Sequence, residues 1–178
     1  MTRTAPSGVE RTFGRDEIIV TKTDLQGRIT YANEVFCRVS AFDEADVIGK
    51  PHNLIRHPDM PAGVFKLLWD RLQAGQELFA FVVNVAGDGA HYWVFAHVTP
   101  TFDAHGTIIG YHSNRRLPSR TALGTIVPLY REIRAHEAGF SRATDASAAG
   151  LSFLHERLAG LGMTYDEWVW SLVTEVAA

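Results

Sequence analysis

The chain has 178 residues, a formal net charge of −3 and 46% hydrophobic residues. A chain of this length can bury roughly 70% of the surface that its unfolded form exposes, which predicts one domain with an appended piece. It contains no run of about 18 apolar residues and no long basic run, so neither a membrane span nor nucleic-acid binding is predicted. Its single cysteine, Cys37, excludes an internal disulfide and is compatible with a reducing cytoplasm.

The first half of the chain predicts a β-hairpin followed by helices. After a loose lead-in over residues 1–15, two short β-branched or aromatic runs flank a turn at residues 24–27. Helical spacing of apolar residues starts near Asn33, and Asp43 is a candidate N-cap for a second short helix. A longer amphipathic helix is predicted over residues 64–72.

Three strands joined by tight turns follow. Residues 78–85 are apolar except at Asn84, residues 92–100 are rich in aromatic side chains, and residues 107–113 form the last strand. Gly-Asp-Gly and Asp-Ala-His-Gly are the turn sequences between them. Because the helices are segregated from the strands, the pattern predicts an α+β fold, a five-stranded antiparallel sheet with helices on one face.

Helical periodicity returns beyond residue 120, although Pro128 predicts a kink or a helix start near that point. Residues 140–149 are small and polar and predict a linker. Asp145 or Ser147 is a candidate cap for the helix that comes next.

A last helix, capped by Thr164, carries apolar residues as far as Val176. The apolar surface around Trp168 and Trp170 suits either a core element or a dimer contact. We divide the chain into a lead-in (1–15), an α+β domain (16–120) and a C-terminal helical extension (121–178).

The most unusual stretch is Lys-Pro-His-Asn-Leu-Ile-Arg-His-Pro-Asp-Met-Pro at residues 50–61. Proline biases the residue before it away from the helical region, so His57 and Met60 should be extended or turn-like. Pro61 is well placed to open the next helix. On its residues alone, the stretch is either a solvated loop or a set of polar side chains held for a ligand.

This stretch, with Thr-Tyr-Ala-Asn-Glu-Val-Phe at 30–36, His-Tyr-Trp-Val at 91–94 and Gly-Tyr-His-Ser at 110–113, closely resembles the PAS domain of bacterial aerotaxis receptors. The resemblance covers about residues 21–116. It implies a PAS fold and a non-covalently held FAD whose redox state is sensed. Carried over position by position, it implies that five residues matter for FAD binding or for signalling: Asn33, Arg56, His57, Asp59 and Asn84. His52 and Asn53 are interpreted as structural.

The chain departs from that family at two places. Leu78 stands where the family often has Trp, so an aromatic contact with the cofactor is either missing or supplied by Phe79 or Phe81. Val-Ala-Gly at 85–87 replaces the basic residues usual after the strand asparagine. That replacement weakens any phosphate or partner contact assigned to this turn.

A flavin needs a flat, mostly apolar slot with a few polar groups aimed at its ring edge. We expect the slot to come from strand side chains, with Trp93 binding the cofactor alongside Phe79, Phe81, Val83, Phe95 and Tyr111. The Asn84 amide both donates and accepts, so it can adapt when a ring nitrogen gains a proton. Arg56 can meet the pyrophosphate or a ring carbonyl. The simpler interpretation of Arg56 and Asp59 is a local ion pair that steadies the loop.

Other chemistries have weaker support in the sequence. No Cys-x-x-Cys, His-x-x-x-His, His-Glu-x-x-His or Gly-x-Ser-x-Gly pattern occurs, so we assign no metal ligand and no catalytic residue. A haem held by one histidine stays open, with four candidate ligands: His52, His57, His91 and His97. Cys37 is interpreted as an inert core thiol.

The sequence therefore predicts a cytoplasmic FAD-binding PAS sensor of redox or oxygen state. It would signal to a partner protein by conformational change and would not turn over a substrate. The alternatives are a haem-binding PAS oxygen sensor and a cofactor-free PAS interaction module. A homodimer through the PAS domain or the C-terminal helices is left open.

Overall fold

The computed structural model describes residues 5–174, so the predicted helical position of Val176 lies outside the described residues. The elements in chain order are β1 (Ile19–Thr23), β2 (Ile29–Ala32), α1 (Glu34–Ser40), α2 (Glu44–Val47), a 3₁₀ helix (His52–Ile55), α3 (Ala62–Gln73), β3 (Leu78–Val85), β4 (His91–Phe102), β5 (Ile108–Arg116), α4 (Arg120–Glu137), α5 (Ala143–Ala159) and α6 (Tyr165–Thr174). Within this part of the chain, no helix combines the length and the apolar character that crossing a bilayer requires.

The five strands form one antiparallel sheet in the order β2-β1-β5-β4-β3, which confirms the predicted fold class. Tight turns join β1 to β2 and each of the last three strands to the next. The last strand, β5, lies at the centre of the sheet, with Ser113 opposite Thr21 of β1 and opposite Val98 of β4. The sheet thereby brings the two ends of the predicted α+β domain side by side.

The chain forms two compact units. The first contains the residues up to His57 together with Arg71–Leu117, and the second contains Pro58–Asp70 together with the residues from Pro118 onward. The sequence predicts a domain boundary at residue 120, which stays a prediction. Residues 58–70, which that division places in the α+β domain, belong to the second unit together with the C-terminal helices.

The core of the first unit lies between the short helices and one face of the sheet, which we call the inner face. Tyr92, Val94 and Ala96 of β4 join Phe36 of α1 and Ile55 of the 3₁₀ helix in this core. Burying one such large side chain stabilises the fold by about 1.5–3 kcal/mol. Side chains alternate along a strand, so the odd-numbered residues of β4 point to the opposite, outer face.

The lead-in is more ordered than the sequence predicts. Ser7 donates its backbone N–H to the Gly89 carbonyl at 2.8 Å, and Arg11 donates its backbone N–H to the His91 carbonyl at 2.7 Å. Arg11 also forms an ion pair with Asp88. The prediction of a loose lead-in is therefore wrong for residues 7–11, because backbone pairing along the start of β4 fixes them.

The second unit contains three long helices. The helix α4 begins after Ser119, whose hydroxyl accepts the Ala122 N–H at 3.1 Å, so Pro128 lies inside the helix and does not start it. The predicted linker at 140–149 is mostly helical, because α5 begins at Ala143 and its N-cap position is Arg142 rather than Asp145 or Ser147. Alanine-rich sequence has a high intrinsic helix propensity, and that property outweighed the polarity of this stretch.

The predicted cap of the last helix is confirmed. The Thr164 hydroxyl accepts the Glu167 N–H at 3.3 Å, and the Glu167 carboxylate accepts the Thr164 N–H at 2.8 Å. These reciprocal bonds form a capping box. They also hold the pKa of the Glu167 carboxyl below its ordinary value.

Candidate functional site

Four buried polar side chains lie on the inner face among apolar neighbours: Asn84, Tyr92, Ser113 and Arg115. Each has one atom, Nδ2, OH, Oγ and Nη1 respectively, that finds no hydrogen-bond partner within residues 5–174. An unpaired buried donor costs about 1–3 kcal/mol, and more than about 90% of buried polar groups are paired. These four groups on one face are therefore candidates for hydrogen bonds to a polar ligand.

Arg115 lies on the central strand β5 and is only 5% exposed. Its Nη2 donates to the Thr21 hydroxyl at 2.7 Å and lies 2.7 Å from the Nε2 of His52. Because a guanidinium can only donate, Nε2 of His52 is the acceptor and the ring proton is on Nδ1. No carboxylate among the described residues forms an ion pair with Arg115, so this buried cation meets only neutral groups.

The electrostatics of the cluster follow from burial. Desolvation, followed by the charge of Arg115, lowers the pKa of His52 to about 3, so the ring is neutral at physiological pH. Desolvation also lowers the pKa of Arg115 to about 10, which still leaves it charged at pH 7. Burial raises the pKa of Tyr92 well above its ordinary value, so its hydroxyl remains a donor. The site therefore offers a set of donors and one positive charge to a ligand with acceptor atoms.

The proline-rich stretch reaches this face through its backbone. Arg56, directly after the 3₁₀ helix, forms an isolated antiparallel bridge with Asn84 at the edge of the sheet. The next residue, His57, is buried, and its ring centroid lies 5.9 Å from that of His91 in an edge-on contact. The structure thus brings together three of the residues predicted to matter for the cofactor.

Both polar atoms of the Asn33 side chain form hydrogen bonds with nearby backbone groups. Its Oδ1 accepts the N–H groups of Phe36 and of Val20, both at 3.0 Å, and its Nδ2 donates to the Ile18 carbonyl at 2.8 Å. One amide therefore caps α1 and ties that helix to β1. Its predicted contact with a cofactor stays a prediction, whereas its structural role is visible.

Asp59 belongs to the second unit, where its carboxylate forms an ion pair with Arg134 of α4. The simpler interpretation, a local ion pair between Asp59 and Arg56, stays a prediction beside this longer-range partner. Asp59 therefore connects the proline-rich stretch with the helical extension.

The predicted slot combines side chains from both faces of the sheet. In the β3–β4 register, Phe79 lies opposite His97, Phe81 opposite Phe95 and Val83 opposite Trp93, all on the outer face. Asn84 and Tyr92 form the adjacent pair on the inner face. One flat ligand cannot contact Asn84 and Trp93 together, so Trp93 falls outside the site that the structure supports.

The same alternation shows whether Phe79 or Phe81 can supply the aromatic contact that is missing at Leu78. Leu78 is buried on the inner face, but Phe79 and Phe81 point to the other side. Neither phenylalanine can therefore supply the missing aromatic contact beside Asn84. The inner face has methyl groups instead, where Ala80 lies opposite Ala96.

Two of the candidate haem ligands have their Nε2 atoms engaged elsewhere. The Nε2 of His52 accepts from Arg115, and the Nε2 of His97 lies 2.7 Å from a Glu77 carboxylate oxygen. These bonds would have to break before either Nε2 atom could bind an iron. Haem binding through either of the other two candidate histidines stays an open alternative.

Sequence reasoning missed Arg115 and Tyr92 and assigned His52 a structural role. The sequence of the last strand carries no clear signal, and the shared burial of Tyr111, Ser113 and Arg115 is visible only in the structure. An arginine on the buried phase of a central strand needs a partner. That partner, His52, is 63 residues away in the chain, which no local pattern reveals.

Comparison with known proteins gives a consistent result. The model of the family described as PAS fold matches residues 18–113. The aerotaxis receptor of Escherichia coli (strain K12) is 38% identical over 120 residues, which are 67% of this chain and 24% of the receptor. The nitrogen fixation regulatory protein of Klebsiella pneumoniae is 27% identical over 99 residues, 56% of this chain and 20% of that protein. The chain thus matches about a quarter or less of the length of these relatives.

Solved structures share the fold at low identity. The dark structure of the light-oxygen-voltage domain of the blue-light photoreceptor aureochrome1 superposes with a TM-score of 0.55 and 19% identity, covering 65% of this chain and 86% of that one. A light-oxygen-voltage domain studied with a flavin analogue gives a TM-score of 0.55 and 15% identity, with the same coverage.

Proposed function

This chain belongs to the PAS fold family, and from that premise we propose that its first unit binds FAD and senses redox or oxygen state. The observation that most directly supports this proposal is a group of buried donors on the inner face. Within residues 5–174 they have no hydrogen-bond partner: Asn84 Nδ2, Tyr92 OH, Ser113 Oγ and Arg115 Nη1. The similarity to an aerotaxis receptor supports this class of signal.

The chemistry of these donors suits an isoalloxazine edge. A bound flavin would supply reversible electron transfer coupled to proton uptake at the ring. Asn84 and Tyr92 would donate to ring oxygens from neighbouring strands, and Asn84 can reverse its amide to accept instead. Arg115 would place its positive charge beside whichever ring edge gains negative charge on reduction. The neutral His52 holds Arg115 in place without cancelling its charge.

The surrounding core would keep water away from the ring. Phe36, Ile55 and Val94 line the apolar part of the inner side of the sheet. A buried charge acts more strongly in such a low-dielectric environment than in water. The environment is therefore suited to tuning a reduction potential, and the proposed role is that of a sensor which does not turn over a substrate.

The output of such a sensor is a change of conformation read by a partner protein. We place the protein in the cytoplasm, where a free thiol such as Cys37 stays reduced. Burial, together with the nearby carboxylates of Glu44 and Asp43, raises the pKa of the Cys37 thiol. It therefore behaves as a core residue rather than a reactive one. A homodimer through the PAS unit or the C-terminal helices is compatible with this proposal.

The test is the absorption spectrum of the full chain, followed by chromatography of the cofactor released on denaturation. Oxidised flavin bands and released FAD support the proposal, whereas released FMN corrects the nucleotide. A single intense Soret band identifies the haem alternative. Well-folded protein that is colourless and takes up no added FAD refutes the proposal and favours an interaction module.

A further inference from the structure

The N-terminus of α3 is capped from a distant part of the chain. Its first two N–H groups, of Ala62 and Gly63, donate to the two carboxylate oxygens of Glu137 in α4 at 3.0 and 2.7 Å. The two preceding residues, Met60 and Pro61, carry no side-chain oxygen that could cap the helix locally. A carboxylate at this position also complements the positive end of the helix dipole.

Two glycines make this close approach feasible. A Cβ on Gly63 would lie 2.5 Å from the backbone of Gly150 and Leu151 in α5, and a Cβ on Gly150 would lie 2.1 Å from Glu137 Oε1. Neither distance is sterically allowed for real atoms. The close packing of α3 against α5 therefore depends on glycine at position 63, and the position of the Glu137 carboxylate depends on glycine at position 150.

An ion pair adds a third component three residues upstream. The Asp59 carboxylate pairs with Arg134, which lies one helical turn before Glu137 in α4. We call the contacts of Asp59, Ala62 and Gly63 with Arg134, Glu137 and Gly150 the α3 latch. All six residues belong to the second unit.

The latch is joined covalently to the candidate cofactor site. The backbone of Arg56 forms a β-bridge with that of Asn84. The chain then enters the second unit at Pro58 and reaches Ala62 six residues after Arg56. This link contains two prolines, each of which fixes its own φ angle and restricts the residue before it. The link from Arg56 to Ala62 is therefore short and conformationally restricted.

We propose that the α3 latch is the output contact of the sensor, and that it ties or releases the helical extension according to the state of the ligand beside Asn84. This inference rests on the proposed function for the identity of the ligand. It goes further in naming Glu137, which lies outside residues 16–120, as the positioning residue that couples the ligand site to the helical extension.

The test is amide hydrogen exchange at Ala62 and Gly63 in the FAD-loaded full chain, oxidised and chemically reduced. In the wild type, the exchange rates of these two amides should differ between the two states. In Glu137→Gln, which loses the charge and one acceptor oxygen, both amides should exchange on the order of fivefold faster, as expected for a lost helix cap, and the difference should vanish. Glu132→Gln is the matched control, since it removes a surface ion pair with Arg157 from the same helix.

Gly150→Ala provides an independent check, because it displaces the carboxylate without changing any charge. Its exchange should resemble that of Glu137→Gln. Exchange at Ala62 and Gly63 that is identical in oxidised and reduced wild type, or unchanged in Glu137→Gln, overturns the latch while leaving FAD binding intact. A chain that binds no FAD refutes the proposed function and the coupling together.

Discussion

Asn84 offers a test in which stability and binding should change in opposite directions. Its side chain is 4% exposed, and its Nδ2 has no partner in the described chain. Replacing a buried unpaired donor by an apolar group of similar size removes a desolvation penalty of about 1–3 kcal/mol. We expect Asn84→Leu to raise the unfolding free energy of the flavin-free protein by about 1 kcal/mol, because the slightly larger side chain offsets part of the gain.

The same substitution should weaken FAD binding. Losing the amide leaves a ring acceptor unpaired, so about 1.4 kcal/mol or more is lost and the Kd rises about tenfold or more. Asn84→Ala should weaken FAD retention in the same way or shift the reduction potential. The assays are urea unfolding of the flavin-free protein and equilibrium titration with FAD.

Asn114→Ala is the matched control, since Asn114 lies in the same sheet but opposite His97 on the outer face. Its side chain is paired with His112 at 3.0 Å, so it should affect FAD binding little. A flavin-free Asn84→Leu protein that is less stable yet binds FAD like the wild type would refute the reasoning about this face.

Three further predictions concern the structure around the site. Because the pKa of folded His52 is about 3 against an ordinary 6.5, only the unfolded chain binds this proton between those values. The unfolding free energy should therefore fall as the pH drops from 6.5 toward 3, by up to about 1.4 kcal/mol per unit, and urea unfolding of His52→Gln should show a shallower fall. Asn33→Ala should lower the free energy of unfolding, measured in urea, by about 2 kcal/mol, because it loses the helix cap and the bonds to β1. In thermal unfolding, Gly110→Ala should lower the free energy of unfolding by about 3 kcal/mol, since its Cβ would lie 2.3 Å from the Thr23 carbonyl oxygen. Gly124→Ala, in an open helical position, should raise it by about 1 kcal/mol.

Each of these predictions has a clear contrary result. Equal pH slopes for wild type and His52→Gln would show that the ring is not buried in its neutral form. A fall in FAD affinity for Asn33→Ala at unchanged stability would restore the cofactor contact that the family resemblance implies. Similar stability changes for the two glycine variants would contradict the close approach of β5 to β1.

The sequence determined the secondary structure of the α+β region well, because the signals there are local. The β3 span, the start of α1 near Asn33 and the Thr164 cap all depend on residues within a few positions of one another. Alternation, turn glycines and cap residues act over that range. The helix α5 was missed because small polar residues are ambiguous between linker and helix, and packing against α4 decides between them.

The tertiary structure alone decided which side chains meet. The pairing of Arg115 with His52, of Asp59 with Arg134, and of Glu137 with the start of α3 joins residues 63 to 75 positions apart. Such contacts depend on which face of each element becomes buried. Alternation along each strand is visible in the sequence. That Asn84 and Trp93 point to different faces of the sheet follows only once the hairpin register is known. Local sequence therefore specified the elements and the proline-rich stretch, whereas the donors left without partners became visible only after the chain had folded around them.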